Sequence, residues 1–182
     1  MKRKQLSLTL MIFSLCCALM SCKTTLKALD TGKANEKDGL QLMLSMNKKS
    51  YRSNEIMLAT IQLKNILSDG RSILICKWLY DWYALDFVIS DESGKRANEI
   101  YMIEVRLPET FDFVKINTGE AVEYTRDIHD SRKPLNPGKY TVQAIYQNRL
   151  DPDPGDYTDK VNVKSAWKGT LESNIVTITI KP

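Results

Sequence analysis

With 182 residues and 20.8 kDa, the chain has room for one domain of ordinary size and an appendage. Apolar residues make up 43% and charged residues 26%, with only 8 glycines and 6 prolines, a mixture that excludes a disordered or fibrous chain. The formal net charge of +4 is modest, and no basic block is long enough to follow a phosphate backbone, so nucleic-acid binding has no support.

The chain opens with Lys2, Arg3 and Lys4, continues through an uncharged apolar stretch over residues 6–20, and reaches Ser21 and Cys22. A basic start, an apolar centre and a small-residue cleavage point make a secretory signal. The apolar centre is shorter than the roughly 20 residues that span a hydrocarbon core, which favours cleavage over a retained transmembrane helix. Leu19-Met20-Ser21-Cys22 resembles the lipobox of bacterial lipoproteins, with an aliphatic residue at minus 3, a small one at minus 1 and the obligatory cysteine. The resemblance implies a diacylglycerol on the Cys22 sulfur, cleavage after Ser21 and an acylated new amino terminus. Each buried methylene contributes about 0.8 kcal/mol, so several acyl chains anchor a protein to the membrane where one binds only marginally. Cys16 and Cys17 fit the motif less well, since the triplets before them lack a small residue at minus 1 after an aliphatic one at minus 3.

Cleavage removes Cys16 and Cys17, lipid consumes Cys22, and Cys76 is left without an intrachain partner. Cys76 ends the run Ile73-Leu74-Ile75-Cys76 and reads as a buried small hydrophobe. Loss of Lys2, Arg3 and Lys4 lowers the formal charge to +1, so the sequence pI of 8.8 overstates how basic the mature part is. Residues 23–38 are polar, rich in Lys, Thr and Ala, and without a sustained period, which is the pattern of a tether. Lys23 beside Cys22 is not the acidic residue that marks inner-membrane retention in Gram-negative sorting, so the resemblance implies an outer-membrane destination. The organisation is therefore a signal peptide over 1–21, a lipidated cysteine and tether over 22–38, and one domain over 39–182.

From Leu40 onward the period is two. Leu40, Leu42, Leu44 and Met46 alternate first, followed by Met57, Ala59, Ile61 and Leu63, which end at Asn65. After Ser68-Asp69-Gly70 come residues 73–76, and then Leu85, Phe87 and Ile89 lead to Asp91-Glu92-Ser93-Gly94, a hairpin turn with glycine where positive φ is needed. Residues 100–107, 111–116 and 121–128 are further strands. Between residues 73–76 and Leu85, Lys77-Trp78-Leu79-Tyr80-Asp81-Trp82-Tyr83 packs four aromatics into six residues. Trp78, Tyr80 and Trp82 share one face at period two, and Lys77 and Asp81 keep both faces from being deeply buried. Trp78, Tyr80, Trp82 and Tyr83 are thus candidate contacts for a protein or carbohydrate partner. The competing reading makes Trp78 a core tryptophan and the others the cover of a sheet edge.

Leu135-Asn136-Pro137-Gly138-Lys139-Tyr140, followed by alternation at Val142, Ala144 and Tyr146, resembles the tyrosine corner of Greek-key sandwiches. In such corners Pro137 and Gly138 would set the turn and the Tyr140 hydroxyl would bond a backbone group upstream. The alternation resembles strand F of immunoglobulin-like and fibronectin-type sandwiches, with residues 175–180 as strand G. Ala166-Trp167-Lys168-Gly169-Thr170-Leu171-Glu172-Ser173-Asn174 is similar to the approach to the last strand in Ig-like domains of bacterial envelope proteins, where Trp167 would cap one end of the core. The expected fold is an all-β, Ig-like Greek-key sandwich, which names no activity.

The chemical inventory is thin. His129, before Asp130, is the one histidine, which rules out a multi-histidine metal site, and no Gly-x-Ser-x-Gly elbow supports a triad. Walker and dinucleotide glycine patterns are absent. Asp151, Asp153, Asp156 and Asp159 place four carboxylates in nine residues, candidate oxygen ligands for calcium without the EF-hand order or its bidentate glutamate. A proline-stiffened polar loop explains the same residues. The expectation is a membrane-anchored envelope protein that binds and does not catalyse, with no resident cofactor. The alternatives are an inhibitor of an envelope or foreign hydrolase, as in the BsuPI-type proteinase inhibitors, and a structural envelope component.

Overall fold

The computed structural model describes residues 35–77, 84–98, 112–130, 132–151 and 165–182. They form eleven strands in chain order: β1 (Asn35–Lys37), β2 (Leu40–Met46), β3 (Ser50–Arg52), β4 (Leu58–Asn65), β5 (Ile73–Cys76), β6 (Leu85–Asp91), β7 (Phe113–Ile116), β8 (Ala121–Asp127), β9 (Gly138–Asn148), β10 (Gly169–Glu172) and β11 (Val176–Lys181). The described fold is all-β. β1 lies within the stretch whose lack of period reads as tether. Three exposed residues carry no apolar signal, and it is backbone pairing that makes them a strand.

The first sheet runs β1-β2-β4-β8, antiparallel throughout. The second is built on β9, with β6 along one edge and both β10 and β11 along the other, since β6 overlaps each of them in register. β3 joins the outer side of β11 in parallel. The chain therefore changes sheets between β2 and β3. Leu40, Leu42, Leu44 and Met46 from β2, Ala59, Ile61 and Leu63 from β4, Phe87 and Ile89 from β6, and Val142, Ala144 and Tyr146 from β9 all belong to one buried cluster. Period-two alternation puts each of these side chains on the inner face of its strand.

β4 and β8 continue past the end of their sheet as β5 and β7, which pair Ile73 with Ile116 and Cys76 with Phe113. All four β5 residues are buried, so this ribbon closes the same core. At the break between the two ladders sits Asn65, fully buried. Its Nδ2 donates to the carbonyls of Arg71 (2.8 Å) and Ile116 (3.0 Å), and its Oδ1 accepts from the Leu67 amide (3.0 Å).

A second break separates β10 from β11. Glu172 pairs with Ile145 and Val176 with Val142, so three residues oppose two and the edge carries a β-bulge. The bulge places Ser173 and Asn174 inward in succession and turns Ile175 out, 53% exposed. The Ser173 hydroxyl takes the Ala144 amide at 2.9 Å. Asn174 reaches across to the other sheet, accepting from the Leu44 amide at 2.8 Å and donating to the Leu44 carbonyl at 3.0 Å. A carboxamide thus occupies the place of a neighbouring strand at the edge of β2.

At the opposite end of β9, the Tyr140 hydroxyl donates to the Asn136 carbonyl at 3.0 Å, just below the Pro137-Gly138 turn. The turn at Asp91-Glu92-Ser93-Gly94 is present, with Gly94 at φ 80°. Of the returning segment only residues 95–98 are described, with Arg96 bridging Ser90, and the strand expected over residues 100–107 lies outside the described residues. Asn98 bonds the Ile89 amide (2.8 Å) and the Phe87 carbonyl (2.7 Å), and Arg96 forms a two-pronged pair with Asp86 at 2.9 and 2.8 Å.

Removing a carboxamide that satisfies buried backbone groups leaves them without water or partner. Asn174→Ala and Asn65→Ala are each expected to lose about 2 to 4 kcal/mol in chemical denaturation, whereas Gln62→Ala, on the exposed outer face, should stay within about 0.5 kcal/mol. Gly39→Ala adds a second test. Gly39 has φ 79° and a Cβ there would lie 2.3 Å from Leu67 Cδ2, so this substitution should destabilise although the site is a two-residue turn.

Candidate functional site

The strand directions gather several connections at one end of the domain. β9 runs toward this end and stops at Asn148, β6 starts from it, and β10 leaves it opposite Asn148. The Asp38-Gly39 turn, the 66–72 loop and the β5–β7 ribbon lie there too. Strand-end connections around a rigid frame are where binding residues most often sit.

Hydrogen bonds between distant parts of the chain build the frame. The Tyr146 ring is fully buried and its hydroxyl closes a two-way clasp on Cys76, accepting from the amide and donating to the carbonyl, both at 3.1 Å. Burial raises the phenol well above its usual pKa, which holds the donor proton in place. Cys76 is buried beside this clasp. Trp167 stacks on Tyr146 with ring centroids 5.6 Å apart and a 34° tilt. Its amide donates to the Leu74 carbonyl (2.7 Å) and its indole Nε1 to the Lys37 carbonyl (3.3 Å), so it bridges β5 and β1. Asn148, buried, donates to the carbonyls of Leu150 (3.0 Å) and Trp167 (2.8 Å) and accepts from the Leu150 amide.

Next to this frame lies an open cleft of about 440 Å³. Leu67, Ile73, Leu74 and Trp167 supply its apolar surface, and Asp38 and Arg71 stand at its polar side. Arg71 Nε is paired with Asp69 at 2.6 Å.

Asp151 organises the adjoining neck. Its carboxylate accepts from the Ala166 amide (2.9 Å) and the Ser165 hydroxyl (3.1 Å) and forms an ion pair with Lys168. The Lys168 ammonium, before the smaller effects of the amide and hydroxyl, holds the Asp151 carboxyl below its ordinary range. A calcium ion at this carboxylate would have to displace that ammonium. Asp153, Asp156 and Asp159 lie outside the described residues, as do Trp78, Tyr80, Trp82, Tyr83 and Cys22. Among the described residues no group of three or more His, Cys, Asp or Glu is gathered as a metal site requires. His129 lies at the far end of the first sheet, half-buried, its amide donating to Asp127 Oδ1 at 2.9 Å. Pro137, Gly138 and Tyr140 also sit at that far end.

Sequence reading passed over the framing asparagines. The signal was present, since Asn65 and Asn148 continue the inward phase of the runs before them. No family model matches the chain, and no curated protein matches it.

Tyr146→Phe is expected to cost about 2 kcal/mol, because it removes the donor and the acceptor that the hydroxyl gives the buried Cys76 backbone. Asp151 has a lowered folded pKa, so its contribution is present above the ordinary carboxylate range and disappears as pH falls through the folded value. Asp151→Asn should therefore flatten the acid limb of a stability-against-pH curve and change neutral stability by less than about 1 kcal/mol, since the pair is partly exposed. The same melts with millimolar calcium and with chelator check the cation reading: unchanged Tm is expected if Asp151 serves only as a neck, and a calcium shift abolished by Asp151→Asn would assign it to the ion.

Proposed function

We propose that the protein is a lipid-anchored component of the bacterial cell envelope whose β domain works by binding a partner. The observation that carries this reading is Leu19-Met20-Ser21-Cys22 at the end of an uncharged apolar segment, which resembles a lipobox. Cys22 receives the lipid, the polar stretch read as a tether over 23–38 gives way to β1 at Asn35, and the outer membrane is favoured because Lys23 follows the cysteine. The partner is a protein or a carbohydrate, and no catalytic step is assigned.

We read the domain as an immunoglobulin-like Greek-key sandwich. The change of sheet between β2 and β3, the parallel pairing of β3 with β11, and the order β6-β9-β11 support it. So does the hydroxyl bond from Tyr140 to Asn136. In this reading the partner meets the connections at the Asn148 end of the frame, and the aromatic residues Trp78, Tyr80, Trp82 and Tyr83 are its candidate contacts. Their flanks, Lys77 and Ala84, are fixed by the Asp112 carbonyl (2.6 Å) and the Gln147 amide (2.8 Å).

Cell fractionation tests the anchor. Wild type should sediment with membranes and resist high salt, and Cys22→Ser should appear in the soluble fraction; a variant that stays membrane-bound overturns lipid anchoring. Protease shaving of intact against lysed cells then separates partner classes. Cutting on intact cells places the domain outside and points to environmental ligands, while cutting only after lysis points to another envelope protein. Replacing Trp82 and Tyr83 by Ala should weaken partner capture with little loss of Tm. A large loss of Tm would make both residues core.

A further inference from the structure

We propose that β1 is a detachable strap: Asn35–Lys37 leaves the edge of β2 as a unit while the rest of the domain stays folded. All three residues are exposed, so their departure uncovers little apolar surface of their own. What holds them is backbone pairing to Leu40, Gln41 and Leu42, the Trp167 indole bond to the Lys37 carbonyl at 3.3 Å, and a long 3.5 Å contact from Asn35 Nδ2 to the Ser173 carbonyl. The hinge is the two-residue Asp38-Gly39 loop, with φ of 51° and 79°, the positive pair of a type I′ turn. Among the described residues Asp38 is the one non-glycine at positive φ, and opening the hairpin relieves that conformation.

The edge of β2 carries an internal control. In a hairpin with a two-residue loop the closing pair, Lys37 with Leu40, exchanges both hydrogen bonds. Asn35 with Leu42 does so again, and Glu36 with Gln41 faces without bonding. The next amide on the same edge, that of Leu44, is held by Asn174 Oδ1 at 2.8 Å and owes nothing to β1. Detachment therefore frees the amides of Leu40 and Leu42 and leaves Leu44 fixed. It also removes the partner of the Trp167 indole and loosens Asp38 at the wall of the cleft, while Gly39 stays bonded to the Ile66 amide at 2.8 Å.

Three released residues lengthen the tether by about 10 Å. β1 directly follows residues 1–34, so if Cys22 is lipidated as proposed above, a pull on the anchor reaches this strand before the core and is felt at the cleft. The consequence for the anchor rests on that proposal, whereas detachment itself does not require the lipid.

Amide hydrogen exchange followed by NMR on the full-length chain carrying Cys22→Ser, in detergent micelles and over a range of denaturant, tests the strap. Leu40 and Leu42 are expected to exchange at least about ten-fold faster than Leu44 and with little dependence on denaturant, as local opening requires. The Trp167 indole N–H should follow them. A disulfide from Glu36→Cys with Gln41→Cys, a facing non-bonded pair, should slow Leu40 and Leu42 toward the Leu44 rate, and reduction should reverse the effect. Equal protection and equal denaturant dependence at Leu40, Leu42 and Leu44 would overturn the proposal, because the edge would then open only with the whole domain. Exchange unchanged by the closed disulfide would overturn it as well. The chain in this experiment carries no lipid, so its failure concerns the strap alone and fractionation concerns the anchor alone.

Discussion

The bond pair between the Asn174 carboxamide and the backbone of Leu44 joins the two sheets at a point where neither has a strand to offer. A buried N–H or C=O without a partner costs about as much as a lost hydrogen bond and its desolvation, so a strand edge facing the core must be filled. β1 covers the edge of β2 only as far as Leu42. Beyond it, a carboxamide sets an N–H donor beside a carbonyl acceptor much as a peptide group does, and Asn174 presents both to Leu44. The bulge over residues 173–175 exists in physical terms to aim that side chain, because a regular strand would put position 174 on the solvent face.

The same device recurs wherever a ladder is interrupted. Asn65 satisfies the gap between the β4–β8 and β5–β7 ladders, Asn148 holds the exit of β9 to Trp167, and Asn98 lines the edge of β6 away from β9. Tyr146 does at Cys76 what the asparagines do elsewhere, with one hydroxyl serving as donor and acceptor. Single side chains substituting for strands let the chain change direction inside the core without leaving orphaned backbone. They also concentrate stability in a few polar positions, a different distribution from that of a core held by apolar area alone.

Much of this was legible in the sequence where one rule governed. The runs 40–46, 58–65 and 140–148 alternate cleanly because one face meets the core and the other meets water, and their strands appear where the period places them. Legibility failed where backbone pairing acts without side-chain preference. β1, β3 and β10 are three or four residues long and too short to show a period. The bulge was hidden by a change of phase: Leu171 is inward, and Val176, Ile178 and Ile180 are inward on the other parity. Ile175 reads as the first residue of the last strand by composition, yet the added residue turns it outward. At the candidate site, Trp167 was singled out by its motif, whereas its bonds to Leu74 and Lys37 depend on contacts across more than ninety residues that no local pattern encodes.

The two ends of the domain differ in how they are secured. At the Tyr140 end the tyrosine hydroxyls bond locally, Tyr140 to Asn136 and Tyr51 to Asn47, each across four residues, beside longer-range bonds such as that from the Met57 amide to Asp127. At the Asn148 end the bonds of Tyr146 and Trp167 are long-range, with Tyr146 to Cys76 separated by 70 residues and Trp167 to Lys37 by 130. Local bonds re-form whenever their turn does, whereas the bonds of Tyr146 and Trp167 require the assembled frame. That dependence makes the Asn148 end the place where the proposed release of β1 would be felt. A perturbation at Lys37 reaches Trp167 directly, Trp167 is stacked on Tyr146, and Tyr146 holds the backbone from which residues 77–84 depart. A contiguous chain of bonds and one ring contact thus links the strand nearest the proposed anchor to the base of the connection that carries the aromatic residues.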